Sequence, residues 1–168
     1  MSAFLELLVP WLRRRWLWLA LPSAALLVAS HYVSIGANLT VSLPQRMFLV
    51  LKYDKSVATG NFAVFTPPAS EFHDQQAHLV KLVGGVPGDV LHFEGQQFFI
   101  NGQPMGMAKT HSSRGQKAGL RLSKSAEGVI PPGYFFMYAP HEDSLDSRYS
   151  AVGLVPQDRI VGRALALF

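Results

Sequence analysis

The chain has 168 residues, about the length of one domain, and contains no cysteine, which excludes disulfides, thiolate catalysis and cysteine zinc sites. Only 15% of its residues are charged, against roughly 25% in an average soluble domain, and this favours attachment to a membrane. The net charge of +4 depends on three consecutive arginines; without them, 12 basic residues face 11 acidic ones. This balance argues against nucleic acid as the main partner.

The N-terminal segment, residues 1–36, contains the features of a membrane anchor. After the arginines at 13–15, the 18 residues from Trp16 to Val33 include no Asp, Glu, Lys or Arg. A bilayer-spanning helix needs roughly 17–25 residues. We therefore predict one transmembrane helix over about residues 16–34, with the arginines inside and the following domain outside. A cleaved signal peptide and a buried core helix are the alternatives. The apolar stretch before the arginines is expected to stop at Pro10.

From residue 37 to 168 the pattern changes to short apolar runs separated by Gly, Pro, Asn and Asp, which predicts a mostly β domain. The expected strands lie within 46–53, 61–68, 77–85, 89–105 (two strands), 133–140 and 159–168. Asn101-Gly102 is the expected hairpin turn. Residues 109–128 are polar and rich in Gly and Ser, and they are predicted to form an exposed insertion.

The six histidines give no support to a metal site or a histidine-based triad. No two of them have a metal-ligand spacing, no HExxH motif occurs, and no GxSxG motif marks a nucleophile elbow. The histidines are His31, His73, His78, His92, His111 and His141. We therefore expect no metal and no cofactor, and consider a serine activated by lysine.

Lys81 lies in the otherwise apolar run HLVKLVGGVPGD, residues 78–89. A lysine in such a run costs stability unless its amine reaches water or a partner. Burial disfavours the charged form, and a neutral amine can act as the general base of a Ser-Lys dyad. The alternative interpretation is a lysine on an edge strand.

Ser42, in NLTVSLPQRMF, follows the end of the predicted anchor by about six to nine residues and is the candidate nucleophile. If this segment is extended, Thr40 points to the same side. The Thr40 hydroxyl and the Ser42 N–H would then form an oxyanion hole. The alternative is an ordinary loop serine at the start of a domain.

In SLDSRYS, Asp146 and Arg148 are expected to form an ion pair that braces the site, with a surface turn as the alternative.

In their order, these segments resemble the type I signal peptidases, a family of membrane-bound serine-lysine peptidases. SLP at 42–44 is similar to the family's Ser-hydrophobe-Pro box, KLVGGVPGD at 81–89 to its lysine box, and SLDSRY at 144–149 to its Ser-x-Asp-Ser-Arg box. The resemblance implies that Ser42 is the nucleophile and Lys81 the general base. It also implies a signal-peptidase-like β catalytic domain that cleaves near the membrane, after small residues.

In its departures from this pattern, the chain resembles the TraF-type peptidases of conjugative plasmids more closely. Those peptidases mature pilin subunits, and some join the two pilin ends into a ring. The chain is short, has a single predicted anchor, and lacks the usual Gly-Asp-Asn-Arg run before SLDSRY. This branch implies a bacterial inner-membrane protein with its catalytic domain on the periplasmic side. The implied partners are the lipid bilayer and an exported precursor or propilin.

Two other functions remain open at this point. A membrane-anchored assembly factor of a secretion or conjugation channel would keep the fold without needing Ser42 or Lys81. A self-cleaving Ser-Lys regulator would need a DNA-binding segment where this chain has its predicted anchor.

Overall fold

The computed structural model describes residues 2–68, 78–112 and 122–168. A long helix, α1 (Ser2–Tyr32), precedes a domain built from short strands. In chain order the strands are β1 (Val33–Ala37), β2 (Met47–Lys52), β3 (Phe62–Phe65), β4 (Leu79–Gly85), β5 (Val90–Glu94), β6 (Gln97–Ile100), β7 (Gln103–Met107), β8 (Gly128–Val129), β9 (Tyr134–Tyr138), β10 (Val155–Pro156) and β11 (Ile160–Ala166). A 3₁₀ turn, Gln157–Arg159, lies between the last two strands. The prediction of a mostly β domain is confirmed.

Helix α1 differs from its prediction at both ends. It begins at Ser2 and continues through Pro10, so the expected stop at Pro10 is wrong. A proline removes one backbone hydrogen bond and can kink a helix without ending it. At the other end, Val33 and Ser34 belong to β1, because pairing with β2 supplies their backbone partners. Within the described residues, no helix combines the length and apolar character that crossing a membrane requires.

The strands form two antiparallel sheets. The first has seven strands in the order β1-β2-β11-β3-β4-β9-β10, and the second has four in the order β7-β6-β5-β8. Ile100 pairs with Gln103, so Asn101-Gly102 is the predicted two-residue hairpin turn. Both turn residues have positive φ, 51° and 75°, as a type I′ turn requires. The strands that were not predicted include β1 and the two-residue strands β8 and β10. The segment expected to hold two strands, residues 89–105, contributes to three, β5, β6 and β7.

Strand β4 positions Lys81 on an apolar face in the interior of the first sheet. Lys81 lies opposite Ala63 of β3. Side chains alternate along a strand, so Leu79 and Val83 share the face of Lys81. Leu79, Val83 and Ala63 all belong to one hydrophobic cluster that also contains Met137 of β9. The Lys81 side chain therefore leaves the backbone within the core of the domain.

The predicted polar insertion, residues 109–128, is described only at its two ends. Residues 113–121 lie outside the described part of the chain, as does His73. The ends are joined by a hydrogen bond of 2.7 Å from the Leu122 N–H to the Thr110 carbonyl. Farther along, the Ser125 hydroxyl donates to the Ser147 carbonyl at 2.6 Å, which ties this segment to residues 144–149.

Candidate active site

Lys81 is buried, with 4% of its surface exposed, and its Nζ donates a hydrogen bond of 2.7 Å to the Ser144 Oγ. Ser144 is equally buried, at 4% exposure. Because β4 pairs with β3 on one side and β9 on the other, the interpretation of Lys81 as an edge-strand lysine is wrong. A buried amine among apolar side chains is the environment that disfavours an ammonium ion.

Ser42 lies in the loop between β1 and β2 and is 5% exposed. The loop is bent rather than extended, and the bend brings the Thr40 Oγ1 to 2.7 Å from the Ser42 Oγ. The Ser42 N–H also points to the Thr40 hydroxyl, at 3.4 Å. Two hydroxyls and a backbone N–H are thus gathered at this loop, although the extended geometry considered from the sequence is absent.

The loop that carries Ser42 and the strand that carries Lys81 contribute side chains to the same hydrophobic cluster. Leu43, which follows Ser42, is 2% exposed and lies in a hydrophobic cluster with Val80 and Leu82, the two neighbours of Lys81 in the sequence. Shared apolar packing therefore fixes the loop relative to β4.

Asp146 and Arg148 form the expected ion pair, with 2.8 Å between the Asp146 Oδ2 and the Arg148 NH2 nitrogen. They are 0% and 2% exposed, so the surface-turn alternative is wrong. The Arg148 NH1 nitrogen donates to the Met107 carbonyl. The NH2 nitrogen also lies within hydrogen-bond distance of three main-chain carbonyls, those of Ala139, His141 and Ser144. Burial opposes the charge of Arg148, but the hydrogen bonds and charge of Asp146 outweigh it and raise the pKa of the guanidinium.

This ion pair fixes the loop that follows β9. The Asp146 Oδ2 accepts the Ala139 N–H at 3.0 Å, and Arg148 donates to the Ser144 carbonyl at 3.3 Å. The buried ion pair and its hydrogen bonds therefore support the loop that presents the Ser144 hydroxyl to Lys81.

Two residues at this site were not singled out from the sequence. Ser144 is part of the SLDSRY run, but no role was expected for its hydroxyl. Asn38 is 6% exposed, and its Oδ1 accepts a hydrogen bond of 2.8 Å from the Thr40 hydroxyl. The available signal for Asn38 was its type, since asparagine side chains often bind the backbone of a following turn.

Comparison with known proteins identifies the family. The family model described as signal peptidase, peptidase S26 matches residues 12–168. The conjugal transfer protein TraF of Agrobacterium fabrum is 26% identical over 146 residues, covering 78% of this chain and 80% of that protein. The signal peptidase I of Pseudomonas fluorescens is 28% identical over 140 residues, covering 65% of this chain but only 48% of that protein.

A crystal structure of a signal peptidase I from Enterococcus faecalis V583 is similar with a TM-score of 0.42 at 19% identity, covering 66% of this chain and 97% of that one. The match to the family model is more extensive than this structural match, because it includes both sheets and all the candidate site residues. This chain belongs to the signal peptidase, peptidase S26 family, and is a serine peptidase of the signal peptidase I type.

Proposed function

We propose that the chain is a membrane-anchored endopeptidase that removes leader segments from exported proteins, with Ser42 as nucleophile and Lys81 as general base. The observation that carries the proposal is the burial of Lys81 on an apolar face of an interior strand, in contact with the Ser144 hydroxyl. Burial favours the neutral amine, which is the form able to accept a proton from a serine.

In the proposed reaction, the neutral Lys81 amine takes the Ser42 proton as the Ser42 Oγ attacks the carbonyl carbon of the scissile bond. The Thr40 hydroxyl and the Ser42 N–H donate hydrogen bonds to the oxyanion that forms. Lys81 then gives its proton to the leaving amine, the C–N bond breaks, and an ester to Ser42 remains. A water molecule then loses a proton to Lys81 and attacks the ester carbon. As the ester bond to the Ser42 Oγ breaks, Lys81 returns this proton to the Ser42 Oγ, which restores both groups.

Ser144 and the Asp146–Arg148 pair serve this reaction as supports. The Ser144 hydroxyl holds the Lys81 amine in one position by the 2.7 Å hydrogen bond, which limits the rotation of a long side chain. Asp146 and Arg148 hold the loop that carries Ser144.

The proposal includes a bacterial inner-membrane location, with α1 as a single-pass anchor and the catalytic domain on the periplasmic side. The arginines at 13–15 favour a cytoplasmic N-terminus. Large apolar side chains along the helix are more than half exposed, which suits contact with lipid: Trp16, Trp18, Leu19, Leu21, Leu26, Leu27 and Val28. Leu39 and Val41, beside Ser42, are also exposed, at 89% and 46%.

The proposed substrate is a pilin precursor of a conjugative transfer system. The similarity over 80% of the length of a conjugal transfer protein supports this choice over a general signal peptidase role. The acyl-enzyme is the same for cleavage and for ring closure, because the acceptor, either water or a substrate amine, decides the product.

The test is incubation of the full-length protein, purified in detergent, with a peptide that spans a leader junction with small residues before the bond. Ser42→Ala and Lys81→Ala are each expected to abolish cleavage. Matched controls are the exposed residues Ser56 and Lys124, whose alanine variants are expected to cleave normally. Mass spectrometry identifies the product, since a cyclic peptide is lighter than the linear one by about 18 Da, one water. Cleavage that persists in Ser42→Ala would show that Ser42 is not the nucleophile. No cleavage by the unaltered protein would instead favour a non-catalytic assembly factor.

A further inference from the structure

The loop that carries Ser42, residues 38–46, is closed by one asparagine. The Asn38 N–H donates to the Arg46 carbonyl at 2.8 Å, which joins the two ends of the loop through the main chain. The side chain of Asn38 is buried, and its Nδ2 donates to the carbonyls of Leu43 and Gln45, each at 3.2 Å. Both amide protons are therefore used within the loop.

The oxygen of the same carboxamide faces Thr40. The Asn38 Oδ1 accepts the Thr40 N–H at 3.1 Å and the Thr40 hydroxyl at 2.8 Å. These partners fix which end of the amide is oxygen, because a flipped amide would set its oxygen against two carbonyls and its NH₂ against an N–H.

This arrangement determines which hydroxyl group donates and which accepts in each hydrogen bond. A carboxamide oxygen has no proton to donate, so Thr40 is the donor to Asn38. Since a hydroxyl carries one proton, Thr40 must accept from Ser42 in their 2.7 Å contact. The result, before substrate binds, is a one-way chain in which Ser42 donates to Thr40 and Thr40 donates to Asn38. In the proposed reaction the Ser42 proton turns from Thr40 to Lys81.

We propose that Asn38 is a positioning residue for the Thr40 hydroxyl beside the nucleophile, a role that rests on the proposed function of Ser42. Its Oδ1 binds Thr40 twice, through the backbone and through the hydroxyl. When an oxyanion forms, the Thr40 hydroxyl turns its proton from Asn38 to the oxyanion, while the backbone bond keeps Thr40 in place. Thr40 is exposed, so its hydroxyl is accessible to a substrate.

The test is a double-mutant cycle measured as kcat and KM on the leader peptide. Asn38→Ala is expected to lower kcat about 10²-fold with KM unchanged, the scale expected when a catalytic group is misplaced by about 1 Å. In a Thr40→Val background the same change is expected to lower kcat far less, because no hydroxyl remains to be positioned.

A second asparagine provides the control. Asn101 also uses both ends of its amide, bonding to Asp89 at 2.7 Å and to the Val90 N–H at 2.8 Å, but it lies in the turn between β6 and β7. Asn101→Gly tolerates the positive φ of this turn and is expected to keep the kcat of the unaltered protein.

Two results would overturn the positioning role: an unchanged kcat in folded Asn38→Ala, or an equal fold-loss with and without the Thr40 hydroxyl. Ser42→Ala, measured alongside, separates the two proposals. An active Ser42→Ala refutes the proposed function itself, whereas an inactive Ser42→Ala with a fully active Asn38→Ala refutes the role of Asn38 alone.

If Asn38→Ala does not fold, NMR of the unaltered protein tests whether the Asn38 side chain closes the loop. Slow solvent exchange of both Asn38 side-chain amide protons is expected, and fast exchange would contradict the loop closure.

Discussion

Lys81 and Ser144 are 63 residues apart in the sequence, yet the Lys81 Nζ lies 2.7 Å from the Ser144 Oγ. The sheet brings them together, since Lys81 is on β4 and Ser144 follows β9, the next strand in the sheet. Each is 4% exposed, so the hydrogen bond forms where water does not compete for either partner.

Replacing Ser144 tests whether this hydrogen bond positions the amine. Ser144→Ala is expected to lower kcat more than it changes KM, because the amine loses a fixed orientation. A hydroxyl that accepts a hydrogen bond favours an ammonium over an amine. Its removal should therefore shift the rise of activity to lower pH. A pH profile of kcat checks this, and a profile identical to that of the unaltered enzyme would show that Ser144 does not act on Lys81.

The activity is expected to rise with pH between about 6 and 9, because the base must be neutral. An ordinary lysine has a pKa of about 10.4, and burial can lower the pKa of a lysine amine by as much as about 3–5 units. Lys81→Arg should be inactive although it keeps the positive charge, because arginine does not deprotonate in this range. Lys81→His is expected to fail as well, because the imidazole is shorter. Cleavage rates across this pH range provide the measurement.

The control for the lysine is replacement of each of the six histidines in turn. Each single replacement should leave the rising profile in place, with a folded protein verified by circular dichroism. Loss of cleavage in one histidine variant, together with activity in Lys81→Ala, would require a conventional triad instead.

The Thr40 hydroxyl is expected to act as an oxyanion donor in the proposed reaction. Thr40→Val should lower kcat by about 10²–10³, the typical effect of losing one such donor. Thr40→Ser, which keeps the hydroxyl, should remain close to normal. Kinetics of the two folded variants decide, and equal activity of Thr40→Val and the unaltered enzyme would remove Thr40 from the site.

The buried Asp146–Arg148 pair should matter for stability. Arg148→Met leaves the Asp146 carboxylate buried without its partner and is expected to lower the free energy of unfolding by about 3–5 kcal/mol. The Arg163–Asp54 pair, whose side chains are 36% and 27% exposed, is the matched control. Arg163→Met should change stability little. Urea unfolding measures both, and equal effects would contradict a special role for the buried pair.

The proposed topology predicts that protease added outside cells whose outer membrane has been permeabilised digests residues 37–168 and leaves the N-terminal end protected. This follows from the arginines ahead of an uncharged stretch. A C-terminal domain that stays intact until the cells are lysed would show the opposite orientation.

The local pattern of the sequence predicted most of the strands, because apolar runs between turn residues are a local property. The hairpin at Asn101-Gly102 is the sharpest case, since both residues tolerate the positive φ that the turn needs. Strand β1 was assigned in part to the helix, because Val33 and Ser34 continue an uncharged stretch. Their state depends on pairing with β2, which no local pattern reveals.

The sequence by itself determined the mostly β class, the exclusion of thiol chemistry, and Ser42, Lys81 and the Asp146–Arg148 pair as candidates. These follow from residue type, order and short-range spacing. Only the tertiary structure decided that Lys81 lies on an interior strand, that its amine meets Ser144, and that Asn38 closes the loop around Ser42. Burial and hydrogen bonding depend on which strands become neighbours, and that choice is made by packing between segments far apart in the chain.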